Sequence, residues 1–216
     1  TIFELVRSTK ARVHLCRISS AAGVELVRQA KAEGLPVTCD VSINSLHLTD
    51  VDIGYFDSRM RLNPPLRQQR DRDALRAGLA DGTIDALVSD HNPVSADEKT
   101  LPIAEAEPGA TGLELLLSLA LKWAQESGLG VAEAVATVTS RSANVLGSAL
   151  GTFAASAGRL TAGGAADICV FDPAAHWVVE PSALVSQGQH TPFGGYELPG
   201  RVKATLVGGR VAYTAA

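Results

Sequence analysis

Apolar positions along the first 150 residues alternate between two periods. Arg12 to Ile18 is a short β-rich run. Ser19-Ser20 then offers a helix cap, and Val24, Leu26, Val27 and Ala30 mark an apolar helical stripe that ends at Gly34. A second strand is predicted over Val37 to Val41, just after Pro36. Beyond a polar stretch, Arg70 to Ala80 reads as a helix with charge on one face, stopped by the turn signal Asp81-Gly82. Ile84 to Asp90 is the third strand. Helices are then predicted over Leu113 to Glu126, Val131 to Val138 and Ser142 to Leu146.

Strand–helix repetition of this kind predicts parallel strands with crossover helices, whose C-terminal ends form the active face. Only three barrel strands are visible, whereas a complete (β/α)₈ barrel takes roughly 250 residues. The chain is therefore read as part of a barrel or as an open sheet. After Gly151 the texture changes: Gly163-Gly164, Asp172-Pro173 and Gly194-Gly195 punctuate short runs such as Ala166 to Phe171. Val202 to Val207 and Arg210 to Tyr213, joined by Gly208-Gly209, predict a β-hairpin. The expected division is a barrel part over 1–150 and a small β part over 151–216.

Composition narrows the classes. The 216 residues are 46% hydrophobic and 19% charged, enough apolar content for a sizeable core. A formal net charge of −4 gives no reason to expect nucleic acid or an anionic membrane as partner. Leu113 to Ala120 comes nearest to a membrane span, but Glu114 and Lys122 mark it as a buried helix. Three cysteines, Cys16, Cys39 and Cys169, lie far apart, and are expected as small core residues in a reducing, cytoplasmic compartment. Thr1 opens directly on Ile2 to Val6, a helix already under way, so no secretory leader is expected and the chain reads as a fragment.

Several runs resemble dihydroorotases of the amidohydrolase superfamily. They are His14-Leu15-Cys16-Arg17-Ile18-Ser19, Arg61-Leu62-Asn63-Pro64-Pro65-Leu66-Arg67, Asp81 to Asp85, Ser89-Asp90-His91-Asn92-Pro93, Gly112-Leu113-Glu114 and Thr191 to Gly195. Gly158-Arg159-Leu160 through Phe171-Asp172-Pro173 resembles the closing β-domain of that superfamily. The resemblance implies the C-terminal part of a (β/α)₈ TIM barrel plus a small β-sandwich portion. It also implies one or two zinc ions at the barrel mouth, a metal-bound hydroxide attacking the cyclic amide of dihydroorotate, and an aspartate handling the proton. The family's His-x-His pair and bridging lysine fall outside this sequence.

Set against that pattern, the ligand positions have changed. Arg17 stands where the resemblance implies a ligand histidine, and a guanidinium stays protonated and offers only donors. Ser42-Ile43-Asn44-Ser45 matches Thr-Pro-His-His, which puts Asn44, a poor zinc donor, at the second histidine. His47 lies three residues on and would serve only in a slipped register; a satisfied loop histidine is the blander reading. Asp90, matching the catalytic aspartate, is the one retained ligand position, and its neighbour His91 is kept. Val94 replaces a substrate-contacting histidine. Asn63 and Gly109, with His91, match substrate-binding positions and are read as vestigial; an Asn before Pro-Pro also makes turns on its own account. His14 reads as a strand histidine, His176 and His190 as distant from any site, Trp123 as core, and Arg67 to Asp73 as a solvated helix start.

The resemblance is closest to inactive dihydroorotase-like subunits that associate with aspartate transcarbamoylase. It implies a non-catalytic structural partner in pyrimidine biosynthesis, with no cofactor. The alternative is an active zinc-dependent dihydroorotase, or a related hydrolase of another cyclic amide, working with a single metal; binding of a pyrimidine-like ligand through Asn63 is a third. An incomplete barrel exposes sheet edges that must be covered. Association with a missing N-terminal half or a second copy is therefore expected.

Overall fold

The computed structural model describes residues 1–215. Helix α1 (Ile2–Thr9) leads into strand β1 (Val13–Leu15), helix α2 (Ala21–Ala32) and strand β2 (Val37–Ser42). A short helix α3 (Ile43–His47) follows, then α4 (Gln69–Ala80) and strand β3 (Ala86–Val88). Helices α5 (Leu116–Glu126), α6 (Val131–Val138) and α7 (Ser140–Leu146) precede three antiparallel strands, β4 (Ile168–Val178), β5 (Glu197–Val207) and β6 (Arg210–Thr214).

Strands β1, β2 and β3 are parallel and lie in that order. Ser20 caps α2 as its position suggests, its hydroxyl accepting from the Gly23 N–H at 3.1 Å. Val24, Val27, Leu75 and Leu79 of α2 and α4 join Cys39, Val41, Ile84 and Leu87 in one buried core. Two ion-paired or charge-assisted contacts fix the second crossover. Asp85 takes the Cys39 N–H at 2.8 Å and the Lys31 ammonium at 2.7 Å. Arg141 of α7 donates to the carbonyls of Leu79, Ile84 and Asp85, tying that helix to the end of α4 and the start of β3.

Strands β4, β5 and β6 form a second sheet in sequence order. Gly208 and Gly209, at φ of 56° and 77°, make the tight turn of the hairpin, since both central residues need positive φ. Helix α5 joins this sheet to the core. Ser118 donates to the Gly200 carbonyl at 2.9 Å, and the Trp177 indole N–H reaches both groups.

The structure corrects several expectations. Strand β1 is only three residues long because the backbone leaves the ladder after Leu15. Strand β4 runs straight through Asp172-Pro173, absorbing it in register shifts on either side. Helix α3 occupies part of the polar stretch. Only Cys39 is buried, which pushes its thiol up to about 12, whereas Cys16 and Cys169 are exposed. Asp71 is not merely solvated: its carboxylate accepts the Ala21 N–H at 2.9 Å at the start of α2. Trp123 is fully buried in the core, as expected of it. Among the described residues no helix is long and apolar enough to cross a membrane.

Leu79 is fully buried between the helices and the parallel sheet. Leu79→Ala is expected to cost about 2–5 kcal/mol of stability, read from urea unfolding; a change below about 1 kcal/mol would mean that this core is not continuous.

Candidate functional site at the parallel strand ends

Parallel strands deliver the residues after their C-terminal ends to one edge of the sheet. Here these are Cys16 and Arg17 after β1, Ser42 and Asn44 at the end of β2, and Ser89 and Asp90 after β3. Arg17 adopts the left-handed conformation, with φ of 57°. That geometry disfavours a side-chain-bearing residue and persists only when neighbours over-determine it. The neighbour is Asp40 of β2: its carboxylate accepts the Arg17 N–H at 2.6 Å, and its backbone carbonyl accepts the Ile18 N–H at 2.9 Å.

So held, Arg17 reaches across the strand ends. Its Nη1 donates to Asp90 Oδ1 at 3.1 Å and to the Asn63 carbonyl at 2.9 Å. Asp90 also has positive φ, at 48°, and its side chain is only 12% exposed against 43% for Arg17. The positions singled out as a lost ligand, a retained aspartate and a substrate-contacting asparagine thus meet at one guanidinium. Asn63 meets it through its backbone.

Asn44 is buried in the first turn of α3, where its N–H donates to the Ser42 hydroxyl at 3.1 Å. As donors for a divalent cation Arg17, Asn44 and Asp90 are a poor set. Arg17 brings a fixed positive charge, Asn44 could bring only an amide oxygen, and the one carboxylate is already ion-paired.

The remaining candidates belong to two loops fastened together. His91 Nδ1 lies 3.3 Å from the N–H groups of both Gly112 and Leu113, which it accepts. Asn92 bonds to the carbonyls of Ala110 and Pro108 through its backbone and side chain, each at 2.9 Å. Gly109, at φ of 148°, lies so close that an added Cβ would sit 2.5 Å from the Asn92 carbonyl oxygen and 2.9 Å from Val94. Val94 is buried there. The Thr111 N–H donates to the His190 carbonyl at 2.7 Å, so His190 is not remote but packs beside this loop.

His47 is satisfied in the core rather than in a loop. Its Nε2 lies 3.0 Å from the Leu119 carbonyl and its ring stands edge-on to Phe193. Burial, with the Arg76 cation second, pushes its pKa down to about 4.

Sequence reasoning missed Asp40, while His14 is a hydrogen-bonded strand histidine, as expected of it. His14 Nε2 lies 2.9 Å from Asp40 Oδ2, and Nδ1 lies 2.8 Å from Thr38 Oγ1. The available signal was a lone carboxylate inside the apolar run Val37 to Val41, which must find partners if buried.

Three parallel strands with crossover helices and their polar residues gathered at the C-terminal edge define part of an α/β-barrel enzyme fold. The sequence pattern of the amidohydrolase family matches residues 2–213, and the chain belongs to that family. A "Dihydroorotase-like protein" of Pseudomonas aeruginosa is 42% identical over 209 residues, 97% of this chain and 48% of its own length. A "Dihydroorotase" of Anaeromyxobacter sp. (strain K) is 41% identical over 211 residues, 97% of this chain and 47% of its own. L-hydantoinase (dihydropyrimidinase) from Arthrobacter aurescens superposes with a TM-score of 0.89 at 27% identity, over 99% of this chain and 47% of that one. D-hydantoinase from Thermus sp. gives 0.88 at 24% identity, over 98% of this chain and 47% of its own, and bears on the fold alone. The fold is the C-terminal part of a TIM-barrel amidohydrolase, and the chain spans about half the length of the relatives it matches.

A histidine with a pKa of about 4 when folded and near 6.5 when unfolded binds fewer protons in the folded state between those values. Its contribution to stability is present above pH 6.5 and is lost as the pH falls through about 4. His47→Gln is therefore expected to flatten the fall in melting temperature across that window; an unchanged slope would show that His47 is not the group responsible.

Proposed function

We propose that this chain is the C-terminal half of a dihydroorotase-like protein that has given up hydrolysis and serves as a structural partner. In this reading it supports the assembly of aspartate transcarbamoylase in pyrimidine biosynthesis. The observation that carries the reading is the Arg17 guanidinium on Asp90. A carboxylate that is to accept a proton needs a lone pair directed at the reacting group. Here one oxygen is held by a guanidinium that does not deprotonate at any ordinary pH. The same cation opposes a zinc ion at the strand ends, so the family's metal position is given up with its chemistry. What is kept is shape: the fastened loops around Gly109 and the continuous apolar core.

The sheet also supports association. Strands β1 and β3 lie at the two edges of a three-stranded sheet, and each leaves one row of backbone groups without a neighbouring strand among the described residues. Such edges are covered by pairing with further chain, and the N-terminal half of the barrel or a second copy would supply it.

An active zinc-dependent dihydroorotase is the second reading, favoured by the placement of Asp90 at a strand end with Asn63 beside it. It requires Arg17 to swing away from Asp90. In its longest natural form the protein is expected to leave dihydroorotate unhydrolysed and to co-elute with the aspartate transcarbamoylase catalytic subunit on gel filtration. Turnover that disappears in Asp90→Ala would overturn the proposal in favour of the second reading. In the first reading, activity would need at least Arg17→His together with Asn44→His; in the second, neither change is required.

A further inference from the structure

A second set of donors lies one residue before Arg17 and is independent of the pairing at Asp90. The register sets His14 against Thr38 and Leu15 against Cys39. Side chains alternate between faces along a strand. Leu15, Cys39 and Val41 therefore share one face, and the two buried ones, Cys39 and Val41, belong to the core with α2 and α4. His14, Thr38 and Asp40 share the opposite face, and Cys16, just past the end of β1, lies beside them. A nitrogen of His14, the Cys16 sulfur and a carboxylate oxygen of Asp40 all lie within 4.8 Å of one another.

We infer that His14, Cys16 and Asp40 form a binding site for a thiophilic divalent cation of the zinc type. Imidazole, thiolate and carboxylate are all zinc ligands, and bonds of about 2.0–2.3 Å at tetrahedral angles set donor atoms about 3.5 Å apart. The three donors already lie within 4.8 Å of one another, near that spacing. Thr38 supplies the outer contact that a ligand imidazole characteristically makes, its hydroxyl 2.8 Å from Nδ1 and fixing the ring with Nε2 towards Asp40. The contact of Nε2 with Asp40 Oδ2 at 2.9 Å requires a proton between ring and carboxylate. A dication replaces that proton. The ring keeps that proton by passing it to Nδ1, which then donates to the Thr38 hydroxyl, while the Cys16 thiol proton leaves; the thiolate and the Asp40 carboxylate balance the charge of the dication.

Asp40 Oδ1 stays on the Arg17 N–H throughout, so the turn that aims Arg17 is preserved. Three protein donors leave a fourth position for water or another ligand. The sulfur selects against magnesium and calcium, which take oxygen donors.

Cobalt(II) is the probe, because thiolate ligation adds a near-ultraviolet charge-transfer band that nitrogen and oxygen donors do not give. The chain, reduced and freed of metal, is titrated with cobalt chloride. One equivalent is expected to bind with that band, and zinc is expected to bleach it. Cys16 is exposed, so Cys16→Ser leaves the fold intact; it should abolish the band. Thr38→Val should keep the band and weaken binding by about 10–100-fold, as loss of an outer contact does. Arg17→Ala should leave the band in place, which separates this site from the Arg17–Asp90 pair. Failure to retain cobalt, cobalt held without the band, or a band that survives Cys16→Ser would each overturn the inference. Dihydroorotate turnover bears on the proposed function and leaves this result unaffected.

Discussion

One carboxylate governs the geometry of the strand ends. Asp40 is 6% exposed, and a buried carboxylate costs several kcal/mol unless partners satisfy it. Its partners both lie on the neighbouring strand: the His14 ring, and the N–H of Arg17 where the chain leaves β1. Satisfying Asp40 therefore forces Arg17 into a left-handed turn and ends the ladder after three residues. That turn in turn aims the guanidinium across the sheet edge at Asp90 and the Asn63 carbonyl. The state of the strand ends follows from how β1 and β2 satisfy one buried charge.

The loops around that edge obey a packing constraint of the same strength. Residues 91–94 and 108–112 run so close together that no side chain fits at 109, and Val94 fills the space between them. An apolar residue suits a buried position that makes no polar contact, where a histidine would need partners for two ring nitrogens. His91 meets that need differently, accepting two backbone N–H groups ahead of α5. These residues hold the loops in register with one another, whatever else they do. On the proposed reading, that is the property worth keeping once hydrolysis is gone.

Charge separates the two groups of polar residues on this edge. At Asp90 a fixed cation from the chain itself already balances the carboxylate. At Asp40 no fixed cation does so: the carboxylate is held by the His14 ring and the Arg17 N–H, a set of partners that leaves room for an added cation. Adjacent residues just past the end of β1, Cys16 and Arg17, thus face different electrostatic situations because the left-handed turn at Arg17 redirects the chain between them.

Local signals carried much of the fold. The Ser20 cap with its apolar stripe, the β-branched run of β2, the helix ended by Asp81-Gly82 and the Gly208-Gly209 hairpin are each specified by residues a few positions apart. The sequence alone also fixed which residue types stand at the strand ends, hence that Arg17 and Asn44 bring no imidazole there. It could not show helix α3, whose five residues span too few turns to leave a periodic pattern, or the continuation of β4 through Pro173. Nor could it join Arg17 to Asp90, 73 residues away, or His14 to Asp40. Those meetings depend on strand register and on a left-handed turn, which are set by burial of a charge between two strands and leave no periodic trace in either one.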